Sequence, residues 1–207
     1  MAYNSKNRKA KADLTKQKIC KAANALMNSH NYSEVSVDSI VREAGVSKGS
    51  FYVHFASKDA LLAELVDSQV ARFDADYQGY LDSFADDAPA ETMLLSLVGR
   101  IADVLIEKIG CEGMQAVYKA QITNEFAVDA VSSYNREIYQ IFRSVLERGI
   151  SRGEFDASLS PDTLTRHLML AIRGVTYEWC IRFPDFDYKA EALAHFAFLL
   201  KGLRARD

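Results

Sequence analysis

The sequence predicts an all-α protein of about nine helices, with an N-terminal three-helix helix-turn-helix domain over residues 1–62 and a larger helical domain over residues 63–207. Three observations carry this reading. Apolar residues recur at helical spacing almost everywhere, and no useful stretch shows the two-residue alternation of a half-buried strand. Only three prolines, Pro89, Pro161 and Pro184, punctuate the chain. Positive charge is concentrated at one end: residues 1–62 hold ten Lys and Arg against five Asp and Glu, while the whole chain is −3.

The first helix is expected over Leu14–Asn28, with Ile19, Ala22, Ala23, Leu26 and Met27 as its buried stripe. A second starts after Ser36, a residue whose hydroxyl can cap free backbone N–H groups, with Asp38 suiting the positive helix end. Its apolar face is Val37, Ile40, Val41 and Ala44, and Gly45 stops it. Ser47 caps a very short helix, Lys48 to about Phe55. Ser57-Lys58-Asp59 then opens a long helix through Leu61, Leu65, Val70 and Tyr77 toward Leu81. Residues 86–89 read as a loop. Helical periods resume over Glu91–Ile109, break at Gly110 and Gly113, and continue over Met114–Glu125 and Ser133–Arg152, where Gly153 ends the run. Ser160-Pro161-Asp162 combines cap, first-turn proline and acid, and starts a helix running toward Pro184. The last helix covers Tyr188–Leu203.

About half of the residues are apolar, enough for a packed core rather than a disordered chain. No uncharged apolar run approaches the ~18 residues of a membrane span, and the basic N-terminus lacks the apolar segment of a secretory leader. A cytoplasmic location is expected. Cys20, Cys111 and Cys180 are far apart in sequence, with neither a CxxC pair nor clustered His, so neither a disulfide framework nor a zinc site is expected. Small buried residues or incidental thiols are the plainer reading of them, and a redox-sensing thiol the other. No nucleophile–base motif, phosphate loop or metal spacing is present, and His30, His54, His167 and His195 are scattered. Neither an enzyme active site nor a cofactor is expected.

Two short helices joined through Gly45 have the proportions of a DNA-reading helix-turn-helix. Phe51 and Phe55, at i and i+4, can pin the second helix to the core, while Lys48 and Tyr52 point from a neighbouring face. Gly49 and Ser50 are poor helix stabilisers, which makes sense if the backbone must come close to duplex DNA. An ordinary helical corner is the alternative from this pattern alone.

The stretch GVSKGSFYVHFASKDALLAELV, preceded by SVDSIVREA and by the helix at Leu14–Asn28, resembles the TetR/AcrR family of one-component bacterial regulators across roughly Thr15–Val66. Beyond that stretch the likeness is one of helix number and length. The resemblance implies that Ser36 bonds a backbone phosphate and that Ser47, Lys48, Gly49 and Ser50 read base edges. Lys48 is the candidate for a guanine, a contact worth ~1–3 kcal/mol of discrimination. It further implies phosphate contacts for Tyr52, His54 and Lys58. Lys6, Arg8, Lys9 and Lys11 fit either an arm that follows the DNA backbone or a solvated tail.

The last two helices are more apolar than one buried face requires. Leu193, Phe196, Ala197 and Leu200 form a stripe that Ala192, Leu199 and Leu203 widen, and Gly174 permits close approach. A helix pair buried within one chain is the alternative from pattern alone. The resemblance implies that the pair meets its twin as a four-helix dimer interface, giving a homodimer on a palindromic operator in double-stranded DNA. It also implies a small-molecule effector in a pocket among the remaining helices. Candidate lining residues are Met114, Tyr118, Phe126, Phe142, Met169, Tyr177 and Trp179; Arg100, Asn124, His167 and Arg173 are candidates to orient a ligand. For each of these, core packing or a surface role is the competing reading. The expected function is a transcriptional regulator, a repressor released by a small, largely apolar ligand. An architectural DNA-binding protein without effector, or a helical enzyme, are the alternatives.

Overall fold

Several helices in this chain begin where a side chain accepts a free backbone N–H of the first turn. The structure is a computed structural model and describes residues 2–30, 32–123, 136–158 and 160–205. Helix α1 spans Ala2–Ser29, followed by a 3-10 turn at Tyr32–Glu34, α2 (Val37–Ala44), α3 (Lys48–His54) and α4 (Lys58–Leu81). Next come α5 (Ala90–Val104), a π-helical stretch (Leu105–Ile109), α6 (Gly110–Ile122), α7 (Glu137–Ser151), α8 (Pro161–Arg182) and α9 (Tyr188–Lys201). The predicted caps Ser36, Ser47 and Ser160 each accept a backbone N–H three residues on. Among the described residues no helix is long and apolar enough to cross a membrane.

Two boundaries differ from the sequence reading. α1 starts at Ala2, not Leu14, so Lys6, Arg8, Lys9 and Lys11 lie on a helical backbone. The apolar stripe begins only where there is something to bury: residues 10–14 are all exposed, yet they contain alanine and lysine, good helix formers with no breaker among them. The expected break falls at Gly110 alone, between a π-helical stretch and α6, and Gly113 does not interrupt the helix. Gly110 takes φ +73°, and Gly113 sits buried inside the helix.

The chain divides into two compact units, Met1–Ser68 with Glu112–Val128, and Gln69–Cys111 with Asp129–Asp207. The first thus continues past residue 62 and takes in most of α6; no linker marks residue 62, because α4 runs through it. Its core is Ile19, Ala23, Val35, Ile40, Val41, Phe51, Phe55, Leu61 and Leu65. In the second unit α5 packs on α7 and α9, and α8 packs on the same two helices, so the four pair in a cycle. Phe142, Leu94, Leu97, Leu146, Phe196 and Leu200 are fully buried there.

α4 brings a buried charge into this second unit. Asp74 is 1% exposed; its carboxylate accepts Arg136 Nη2 at 2.7 Å, Arg136 Nε at 3.0 Å and the Ile138 N–H at 3.3 Å, and so holds the start of α7. Stripping one partner from a buried pair like this costs about 3–5 kcal/mol. Cys111 and Cys180, 69 residues apart, are brought together by the fold. Both are buried, the Cys111 thiol donates to the Trp179 carbonyl at 3.8 Å, and burial, with Cys111 alongside, pushes the Cys180 thiol up to about 12.

Gly149 in α7 is required by close packing: a Cβ there would stand 2.4 Å from the Phe155 ring and 2.9 Å from Ala90 Cβ. Gly149→Ala is expected to destabilise the protein by about 1–3 kcal/mol in urea unfolding. Gly79→Ala, whose Cβ would meet nothing within 4 Å, is expected to stabilise it by up to about 1 kcal/mol.

Candidate nucleic-acid interface

The interface is built from α2, the Gly45 turn and α3. Ser36 Oγ accepts the Ser39 N–H at 3.0 Å and Ser39 Oγ accepts the Ser36 N–H at 3.0 Å, a reciprocal box that sets the start of α2. At its end Gly45 adopts φ 64°, ψ 37°, and the Val46 N–H returns to the Val41 carbonyl at 3.0 Å. Only a residue without Cβ takes this left-handed turn without strain, and it swings the chain directly into α3. There Ser47 Oγ accepts the Ser50 N–H at 3.1 Å, and the two hydroxyls lie 2.8 Å apart.

Phe51 and Phe55 fix how α3 is rotated. Both are buried in the first unit's core, with ring centroids 5.6 Å apart. At about 100° per residue, Gly49 and Val53 fall on the opposite side of the helix. Val53 is 79% exposed, an apolar side chain that this fold does not bury. A Cβ on Gly49 would meet only Ser47 Oγ, at 3.9 Å, so nothing in the protein demands glycine there.

On one flank Tyr52 is half exposed, its ring edge-on to Phe51 at 5.3 Å. Lys48 lies beside it, with Nζ 2.9 Å from Asp38 Oδ1, both side chains open to solvent; the hydrogen bond to Asp38 raises the lysine's pKa. Ser50 and His54, on the other flank, are partly buried. Ser36, Ser47, Lys48, Gly49 and Tyr52 are exposed. Val53, which the sequence reading leaves out of the DNA contacts, falls at the middle of the outward face on a helical wheel centred on the two phenylalanines.

Lys58 behaves differently. Its Nζ donates to the carbonyls of Tyr32 and Val35, each at 2.8 Å, and sits 3.9 Å from the centroid of the Tyr32 ring. Burial lowers its pKa against the opposing pull of Asp59 and Glu112. The geometry displays a brace between α4 and the 3-10 turn, where the sequence reading expects a phosphate contact.

The proposed ligand-lining residues separate. Phe142, Met169 and Trp179 are buried in the second unit, Trp179 stacked on Tyr188 at 4.8 Å. Met114 is buried and Tyr118 partly buried on α6, in the first unit. Arg100 is engaged by Asp76 at 2.8 Å in an exposed ion pair, and His167 and Tyr177 are exposed on α8, so these three are corrected from lining positions to surface ones. The error has one cause: helical spacing ranks the residues on a face without saying which face the neighbouring helices cover. Asn124 and Phe126 lie outside the described residues.

Residues 19–65 match the family described as bacterial regulatory proteins, tetR family. The transcriptional regulator AcrR of Shigella flexneri is 27% identical over 204 residues, covering 93% of this chain and 91% of its own. The regulator EthR of Mycolicibacterium smegmatis is 33% identical over 69 residues, 33% of this chain and 32% of its own. The fold is similar to that of the fatty acid degradation regulator FadR from Bacillus halodurans, with TM-score 0.63 and 21% identity over 92% of this chain and 97% of that one.

Gly49→Ala separates fold from interface. It is expected to keep or slightly raise the melting temperature, since alanine is the better helix former by ~1 kcal/mol, and to weaken binding to duplex DNA in a gel shift by placing a methyl on the outward line.

Proposed function

We propose that this chain, whose residues 19–65 match the tetR family of bacterial regulatory proteins, is a DNA-binding transcriptional regulator that binds a palindromic operator as a homodimer and is released by a small, largely apolar ligand. The observation that carries the DNA reading is the outward face of α3. Glycine and an exposed valine lie on its centre line, lysine and tyrosine flank it, and two buried phenylalanines hold it from behind. That face offers what a major groove accepts: a close-approaching backbone, a basic side chain for a guanine edge and a methyl-rich one for a thymine methyl. Lys48 exchanges Asp38 for a base; an exposed pair of this kind is worth only ~0–1 kcal/mol, so the exchange is cheap. Ser36, Ser47, Ser50, Tyr52 and His54 supply base and phosphate contacts around it, with Lys58 bracing the turn behind them.

Residues 1–62 form the DNA-binding domain in this reading, and residues 63–207 the effector and dimerisation domain. Regulators of the family bind small-molecule effectors and are dimeric. Support for the dimer comes from α8, where Leu170, Gly174, Tyr177 and Ile181 form one exposed line at i, i+4, i+7 and i+11, and from Phe198 on α9, 75% exposed. A second copy is the occupant that fits: a two-fold axis sets the same apolar line against itself, with Gly174 letting the backbones approach. Two α3 helices about one DNA turn apart, ~34–36 Å or modestly more, then require a palindrome. A ligand that prefers the spread dimer lowers DNA affinity by the coupling energy, typically ~1–3 kcal/mol.

Selection from random duplex DNA tests the DNA reading; a discrete palindrome is expected, and a chain that enriches no sequence refutes it. On the recovered operator, Lys48→Ala is expected to lose about 5–150-fold in affinity, equivalent to ~1–3 kcal/mol, with little loss on scrambled DNA. Val53→Ser is expected to flatten the preference at one thymine. Ile181→Glu combined with Phe198→Glu is expected to sediment as a monomer at micromolar concentration; an unchanged dimer would place the interface elsewhere.

A further inference from the structure

The 3-10 turn that leads into Ser36 is gripped from two sides, and one grip comes from far along the chain. Lys58 holds the carbonyls of Tyr32 and Val35 from α4. From α6, Glu112 Oε2 accepts the Ser33 N–H at 2.9 Å, across 79 residues of sequence. Two helical turns further along the same helix, Lys119 Nζ reaches Asp59 Oδ2 at 2.6 Å, while the Tyr32 hydroxyl donates to the other oxygen of that carboxylate. All of these groups lie within the first compact unit.

The charges are complementary. α6 presents a carboxylate toward Lys58 and an ammonium to Asp59, so each charged residue at the start of α4 has an opposite partner on α6. Burial alone would raise the Asp59 carboxyl; the hydrogen bonds from Lys119 and Tyr32 outweigh it and hold the carboxyl below its ordinary value. Glu112 and Lys119, seven residues apart, sit on one face of α6.

We infer that Glu112 and Lys119 are positioning residues for DNA binding, which set the 32–36 turn and the start of α4 without touching DNA. This rests on the DNA reading above and deepens it. The turn ends at Ser36, which caps α2 and is a proposed phosphate contact, so a shift of α6 along or about its axis moves that cap directly. The route runs through the first turn of α4, at Asp59, and not through α3. α6 follows the π-helical stretch at Leu105–Ile109, a local departure from the regular ladder of the kind often found where helices adjust.

Full-length wild type, Lys119→Met, Lys119→Arg, Glu112→Ala, Asp59→Asn and the Lys119→Met/Asp59→Asn double variant are compared by fluorescence anisotropy on the selected operator and on scrambled duplex, over a range of salt. Lys119→Met and Glu112→Ala are each expected to weaken operator binding roughly 5–100-fold, and Lys119→Arg to stay within about threefold of wild type. The double variant is expected to be no weaker than the worse single one. The salt slope is expected to stay that of wild type, because no phosphate contact is removed. A slope smaller by about one would make Lys119 a DNA contact and overturn the inference; so would unchanged affinity, or losses that simply add. Should Lys119→Met fail to fold by circular dichroism, Glu112→Ala decides alone. Wild type that binds no duplex would defeat the DNA reading itself, a result distinct from all of these.

Discussion

Phe51 and Phe55 are the contacts on which the DNA-reading surface depends. α3 is seven residues long, far below the length at which an isolated helix persists in water. What keeps it helical is the burial of two aromatic side chains, each worth roughly 1.5–3 kcal/mol, in a core shared with α1, α2 and α4. Because both rings lie on one side, the same burial that stabilises the helix also fixes its rotation. Gly49 and Val53 face outward as a consequence of where the phenylalanines go. The left-handed Gly45 and the Ser47 cap deliver the chain to that core in the right direction, and neither would suffice without it.

Against this anchor, residues on the outward side contribute little to stability, which leaves them available for binding. Lys48 and Asp38 form an exposed pair, of a kind worth only ~0–1 kcal/mol. Ser47 and Ser50 satisfy each other, and Gly49 fills no space the protein requires. Lys58 has the opposite character. Partly buried, it donates to two backbone carbonyls and would give up both bonds on leaving. Polar groups a few residues apart thus divide between exposed and bracing ones according to what lies behind them.

The second unit uses its polar residues mainly to place helices. Asp74 joins the start of α7 to α4, Lys189 reaches Asp103 at 2.7 Å, and Arg204 pairs with Glu91 at 2.9 Å near the bridge between Phe155 and Arg204. These pairs span long stretches of sequence and surround the apolar cycle of α5, α7, α8 and α9. What that cycle leaves uncovered is the line from Leu170 to Ile181 on α8, a face more apolar than water favours when large and contiguous.

The local chemistry of this chain was legible in one dimension. Helical periodicity, the serine caps, the stop at Gly45 and the two phenylalanines at i and i+4 act over four residues or fewer, so they announce both the all-α fold and the DNA-reading motif. Where sequence reasoning stopped short, the deciding partner was distant. The start of α1 was missed because the residues just before its apolar stripe, 10–14, are exposed and give no periodic signal. Tyr177 and Arg100, candidates for a pocket or a surface role, stand open to solvent, a choice periodicity leaves undecided because it does not say which face a neighbour covers. The brace at Lys58, the meeting of Cys111 with Cys180, and the grip of Glu112 and Lys119 on the helix-turn-helix arise from residues tens of positions apart. Such pairings follow only from how the helices pack, since an isolated stretch of sequence carries no record of the groups that will lie across from it.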